Sequence, residues 1–146
     1  MSEEKQKNLY HALGGKPTLE KVHKIFYDIL YAHPWLGQYF HDMPQNVIEA
    51  QQTDFMTAAM GGPEVYSGKF PGPAHRHMYI TEEMFDLRQT LLKQALEKAN
   101  IPNELAEKWL NIDASFRSGL VKESLAGCEK RYATDRILNF QNPLAR

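Results

Sequence analysis

The chain has 146 residues, 42% hydrophobic and 24% charged, with a formal net charge of −1. That is enough for one domain around one buried core, and the near-neutral balance gives no electrostatic footprint for nucleic acid or an anionic membrane. The single cysteine, Cys128, excludes an internal disulfide and a thiolate cluster for zinc or iron–sulfur. No apolar run reaches membrane length, and the charged lead of residues 1–8 lacks a signal-peptide core. A cytoplasmic location is the expectation.

In chain order, Leu9, Tyr10, Ala12 and Leu13 form a short apolar turn closed by Gly14 and Gly15. Pro17 and Thr18 open a helix on which Leu19, Val22, Phe26, Ile29 and Leu30 recur at helical spacing. It ends near His33, because the residue before Pro34 is steered away from helix. Trp35, Leu36, Tyr39 and Phe40 make an aromatic corner. The next helix is predicted from Pro44 or Gln45 to Met60, with Ile48, Gln52, Phe55, Met56 and Ala59 as its inward stripe. Gly61-Gly62-Pro63 stops it. Residues 61–74 contain four Gly and three Pro, longer than an ordinary connection, which favours a functional loop.

Thr81 is placed to cap a helix with acids in its first turn. That helix carries Met84, Phe85, Leu91, Leu92, Ala95, Leu96 and Ala99 and ends by Asn100-Ile101-Pro102. Asn103 is expected to cap the next, whose seam is Leu105, Trp109, Ile112, Phe116 and Leu120. Gly127 breaks the pattern, and residues 129–140 are predicted as a last short helix through Tyr132, Ile137, Leu138 and Phe140. No strand, repeat or low-complexity tract stands out. The expected class is all-α, one domain over 1–146, with a core of about 9–123 and a C-terminal extension of 124–146.

His75 is the first candidate for chemistry. It follows the Pro/Gly loop, which can hold a side chain away from regular packing, and precedes Met78 and Ile80, which could wall a flat cofactor. A neutral imidazole there suits an axial iron ligand, against the alternative of a surface or satisfied core histidine. His77 is either solvent-facing or a contact at a cofactor edge. His11, His23, His33 and His41 have no zinc-ligand spacing, and no HExxH motif occurs. Gln52 sits mid-stripe, where an uncompensated amide would cost about 1–3 kcal/mol, so a neighbour satisfies it or it faces a ligand cavity. Tyr27 offers a phenolic donor at the inward edge of its helix, or is an ordinary core tyrosine. Arg88 also falls on an apolar stripe; it snorkels, pairs with a cofactor carboxylate, or enters the cavity. The methionines fill core gaps.

These residues, in this order, resemble the truncated haemoglobins, most closely their group I. The family's early Gly-Gly is similar to Gly14-Gly15, its Phe-Tyr to Phe26-Tyr27, and its later aromatic pair to Tyr39-Phe40. Its Phe-x-x-x-x-x-Gly-Gly-Pro-x-x-Tyr-x-Gly pattern is matched by Phe55, Gly61, Gly62, Pro63, Tyr66 and Gly68. Its proximal Ala-His-x-x-apolar-x-Ile-Thr is matched from Ala74 to Thr81, and the likeness spans roughly residues 9–123.

The resemblance implies a truncated globin fold, a two-over-two helical sandwich around haem b (iron protoporphyrin IX). His75 would be the proximal iron ligand, and Tyr27 and Gln52 distal donors. Phe40 and Met78 would pack on the cofactor, with Ile48, Phe55 and Met56 lining the distal side. O2, NO and CO are the implied ligands, and NO dioxygenation served by an external electron donor or reductase the implied chemistry. A haem-based gas sensor and a haem-free helical interaction module are the alternatives. Three positions depart from the pattern. Gln51 stands where some relatives place a distal histidine, Pro71-Gly72-Pro73 replaces a more helical approach to His75, and Arg88 replaces a small apolar residue.

Overall fold

The computed structural model describes residues 8–63 and 75–143. Helix α1, Leu9–Leu13, begins at Asn8, whose side-chain oxygen accepts the His11 backbone N–H at 3.0 Å. It ends at Gly14, which adopts φ +107°, a left-handed conformation open to glycine at no steric cost. Helix α2, Lys16–Ala32, carries Pro17 in its first turn, where a missing N–H has no intrahelical partner to lose. It stops at His33 in extended geometry, as the following proline demands. Leu36–Phe40 is a 3-10 turn, and α3 spans Gln45–Ala59.

Helix α4, Glu82–Lys98, is capped as expected, the Thr81 hydroxyl accepting from Met84 N–H at 3.2 Å. Asn100 turns the chain with φ +61°, which its short side chain tolerates. Pro102, rather than Asn103, occupies the cap position of α5, Asn103–Ala114, and α6 is the single turn Arg117–Leu120.

Helix α2 lies against both α3 and α4, α4 against α5, and α1 bridges α2 and α5. The core between them holds Leu19, Val22, Phe26, Leu30, Met56, Phe85, Leu92, Leu96 and Trp109, each at most 1% exposed. Among the described residues there is no strand, only an isolated bridge between Met78 and Leu138. The fold among the described residues is all-α. No helix among the described residues is long and apolar enough to cross a membrane.

Two expectations need correcting. The buried face of α3 is Thr53, Met56, Thr57 and the following Met60, while Ile48, Gln52 and Phe55 are half-buried and Ala59 is exposed. The rotation has a polar cause: Thr53 Oγ1 meets the buried His23 Nδ1 at 2.7 Å, and the Thr57 hydroxyl donates to the Thr53 carbonyl at 2.7 Å. Residues 129–140 form no helix, and among the described residues of the extension the only helical piece is the 3-10 turn Leu125–Gly127. Asp135 accepts the backbone N–H groups of Arg131 and Tyr132 and the Arg131 guanidinium, a local arrangement that competes with helix.

Candidate functional site

Helix α2 places Phe26 and Tyr27 in succession, and the packing of α3 and α4 against it buries both. The Tyr27 ring is met edge-on by Phe40 at 6.0 Å, and Phe40 stacks on Tyr31 at 4.9 Å. Tyr27 and Met56 belong to the core, with Phe40, Ile48, Phe55 and Met78 partly buried against it. Phe55 also tilts against Phe116 at 5.2 Å. Of the expected apolar set, Phe40 meets the Tyr27 ring, and the others lie in or against the same core.

Gln52 lies between Ile48 and Phe55 on α3, is half-buried, and makes no hydrogen bond among the described residues. Opposite in sequence order, His75 opens the stretch leading to Met78. Its carbonyl accepts from Met78 N–H at 2.9 Å and from Lys122 Nζ at 3.1 Å, which fixes the backbone carrying the imidazole. The loop before it, with Tyr66, Gly68, Pro71, Gly72, Pro73 and Ala74, lies outside the described residues.

His77 is not solvent-facing. It is 5% exposed, its carbonyl accepts from Leu138 N–H at 2.8 Å, and its Nδ1 has no hydrogen-bond partner among the described residues. Burial, with Arg131 nearby, lowers its pKa and favours the neutral ring.

Arg88 is the largest departure from the sequence reading. It does not snorkel, but forms an ion pair with Asp113 of α5. Its Nη1 donates to Oδ1 at 2.8 Å and Oδ2 at 2.6 Å, and Gln89 Nε2 adds a bond to Oδ2 at 2.7 Å. The guanidinium lies 5.2 Å from the centre of the Phe26 ring. Burial works against the Arg88 charge, and Asp113 and Tyr27 outweigh it, so its pKa rises further. Burial pushes the Tyr27 phenol up to about 12, with Arg88 opposing. It therefore remains a protonated donor at neutral pH.

Asp113 and His23 were not singled out from the sequence. Asp113 falls four residues after Trp109, one turn along the seam, so an inward acid facing an inward Arg88 was the available sign. The His23–Thr53 bond leaves no such trace, because both residue types are common on helix surfaces.

Among the described residues no three His, Cys, Asp or Glu side chains cluster in a way that could hold a bare metal ion. Haem fits the residues that are present, since the porphyrin brings four ligands and needs one imidazole from the chain. The half-buried Gln52 amide, the Tyr27 hydroxyl and the apolar edges of Phe40, Ile48, Phe55 and Met78 suit the flat ring and a small ligand beside it.

A family model described as bacterial-like globin matches residues 8–120. A group 1 truncated hemoglobin of Mycolicibacterium paratuberculosis is 32% identical over 103 residues, covering 70% of this chain and 76% of that protein. The group 1 truncated hemoglobin of Tetrahymena thermophila is 28% identical over 101 residues, covering 69% and 84%. In fold, the chain is similar to the truncated hemoglobin of Tetrahymena pyriformis in its Fe(III) form, with a TM-score of 0.74 and 24% identity over 80% of this chain and 99% of that one. The group II protein of Bacillus anthracis gives a TM-score of 0.72 at 23% identity over 79% and 96%. The chain belongs to the truncated haemoglobin family as a bacterial-like globin, with haem-based gas binding as the property of its fold.

Proposed function

We propose that this globin holds haem b through His75, binds O2 and NO with Tyr27 and Gln52 as donors, and supports NO dioxygenation. The observation that supports the reading is a buried Tyr27 on α2 and a half-buried Gln52 on α3, two helices that pack against each other. When bound, haem would be held through the His75 imidazole and would supply an iron able to bind a small gas. The side chains do the rest. O2 in the pocket carries negative character on its outer atom, and the Tyr27 proton and the Gln52 amide can both bond it.

Hydrogen bonds to a charged group are worth about 1.5–3 kcal/mol, roughly 10- to 150-fold in affinity, expressed mostly in the off-rate. CO is far less polar, so the same donors favour O2 over CO. Ile48, Phe55 and Met56 keep competing water out of the pocket. Slow release of O2 suits reaction with NO to nitrate better than delivery. That turnover takes one electron from a separate donor or reductase.

The haem-free module loses one of its two supports here. Its Pro-rich approach to His75 lies outside the described residues, and the polar Arg88 is accounted for by Asp113. A sensor role retains one favourable observation, that residues of the C-terminal extension bond the stretch following His75.

The test is the absorption spectrum of the purified protein with haemin, after dithionite, and after CO. A Soret band that shifts on reduction and on CO, and is lost or altered in His75→Ala, is expected. Tyr27→Phe is expected to release O2 about 10-fold faster or more. A protein that takes up no haemin would overturn the reading as a whole, and an unchanged O2 off-rate in Tyr27→Phe would overturn the donor assignment.

A further inference from the structure

Helix α6 ends at Leu120, and two residues later Lys122 reaches back to the stretch that carries His75. Its ammonium donates to three carbonyls: Met78 at 2.7 Å, His75 at 3.1 Å and Leu120 at 3.4 Å. Its backbone N–H donates to the Ile80 carbonyl at 2.8 Å. An ammonium has three protons and no acceptor, so these contacts commit it to the chain rather than to an anionic ligand.

The base of this arm is held on both sides. Arg117 of α6 pairs with Asp86 of α4 at 2.7 Å and lies 4.5 Å over the Phe85 ring. Gly127 of the following 3-10 turn lies along the lysine stem, where an added Cβ would meet the stem carbons at 3.5 Å. The lysine is half-buried, burial lowers its pKa, and its partners are neutral carbonyls rather than a carboxylate. Withdrawing a cation from water has a cost that a methionine of similar length would not incur. What offsets it is a set of charge-assisted bonds, stronger than neutral ones, and two of them close on His75 and Met78.

We propose that Lys122 is a positioning residue for the iron ligand: it clamps the His75 and Met78 carbonyls so that the His75 imidazole meets haem from one fixed backbone. The proposal rests on the reading of His75 as that ligand. The link is short, because the clamped carbonyl belongs to the ligating residue itself and only the side-chain torsions separate its Cα from the ring. A lysine that served packing alone would influence stability and leave the bond between iron and imidazole untouched.

The test uses the full chain loaded with haem and compares wild type with K122M, K122R and H75A. The readouts are the iron–histidine stretching band of the ferrous, gas-free form, the rate of haem transfer to an excess of an acceptor globin, and the urea midpoint. K122M keeps the apolar stem and loses the ammonium. Its iron–histidine band is expected to broaden and move to lower frequency as the ring samples more than one orientation. Its haem transfer is expected to be about 10-fold faster, the loss of one to two net hydrogen bonds. K122R keeps cationic donors and is expected to bring the band back toward wild type.

A wild-type band in K122M, whatever its urea midpoint or transfer rate, would overturn the positioning role and leave His75 as ligand intact. A band displaced equally in K122M and K122R would also overturn it, because the effect would then come from disturbing the stem. A wild-type band that survives in H75A defeats the ligand reading, and this proposal with it. If K122M takes up no haem, K122Q serves instead, with a neutral donor on a shorter arm: a broadened band supports the proposal, and an unchanged one overturns it.

Discussion

Burial between Thr53, Tyr27 and the edge of Trp109 holds the His23 imidazole out of water at 1% exposure. That burial, helped by the Arg88 charge and opposed by Asp113, pushes its pKa down to about 3. In an unfolded chain the same ring titrates near 6.5. Above that pH it is neutral in both states and contributes no pH dependence. Between about 6.5 and 3 the unfolded chain binds a proton that the folded chain refuses, so stability falls as pH falls, by about 1.4 kcal/mol per unit. At pH 4.5 the penalty is about 3 kcal/mol. Urea unfolding of wild type and H23L/T53V at pH 7 and pH 4.5 measures it. The wild type is expected to lose about 3 kcal/mol more than the variant across that interval, and parallel losses would show that His23 is not held neutral. The residue scale is also where the sequence was least legible. Arg88 was conspicuous because a charge interrupts an apolar stripe, but its partner Asp113 sits on another helix, and no local pattern joins them. His75, Tyr27 and Gln52 were conspicuous for the same local reason, each being polar where a helix face or a loop exit should be plain.

At the scale of elements, the chain's punctuation is physical chemistry that acts over a few residues, and it was legible for that reason. Pro34 ending α2, Thr81 capping α4 and Gly14 closing α1 all behave as their side chains dictate. What failed depended on distant partners. The face of α3 is turned by a bond to His23, thirty residues earlier, and the apolar run near the C-terminus pairs with residues 76–79 instead of coiling on itself. Asn8 shows how one cap can join both kinds of constraint. Its Oδ1 accepts the His11 N–H at 3.0 Å, and its Nδ2 donates to the Gly61 carbonyl at 2.7 Å, tying the start of α1 to the turn after α3. Asn8→Ala is expected to cost about 1–2 kcal/mol. Asn8→Asp keeps the cap acceptor but loses the donor to Gly61, so its urea midpoint is expected to fall between those of wild type and Asn8→Ala. Equal midpoints for the two variants would assign the whole effect to the bond with Gly61.

Across the whole molecule, the C-terminal extension joins two parts of the candidate site that the helices alone leave apart. Glu129 N–H bonds the Arg76 carbonyl at 2.7 Å, Leu138 N–H the His77 carbonyl at 2.8 Å, and Tyr79 N–H the Leu138 carbonyl at 2.8 Å. Two residues on, the Phe140 carbonyl accepts from Trp35 Nε1 at 2.6 Å, and Phe140 N–H donates to the Tyr39 hydroxyl at 3.0 Å. One strap therefore runs from the stretch after His75 to the aromatic corner that carries Phe40. The family model matches residues 8–120, so the strap lies outside the matched segment. Lys122 remains as a second anchor, through its Nζ bonds to the His75 and Met78 carbonyls. Removing residues 124–146 would thus loosen the His75 segment without freeing it. The Soret band is expected to persist in that truncated chain, because the imidazole and the distal residues are all retained. Haem transfer to an excess of an acceptor globin is expected to be about 10-fold faster, the loss of one to two net hydrogen bonds in the restraint. The Trp35 emission is expected to shift to the red as its indole N–H turns to water. A wild-type transfer rate with red-shifted Trp35 would mean that the strap secures the aromatic corner alone, and that Lys122 is sufficient to hold the segment carrying His75.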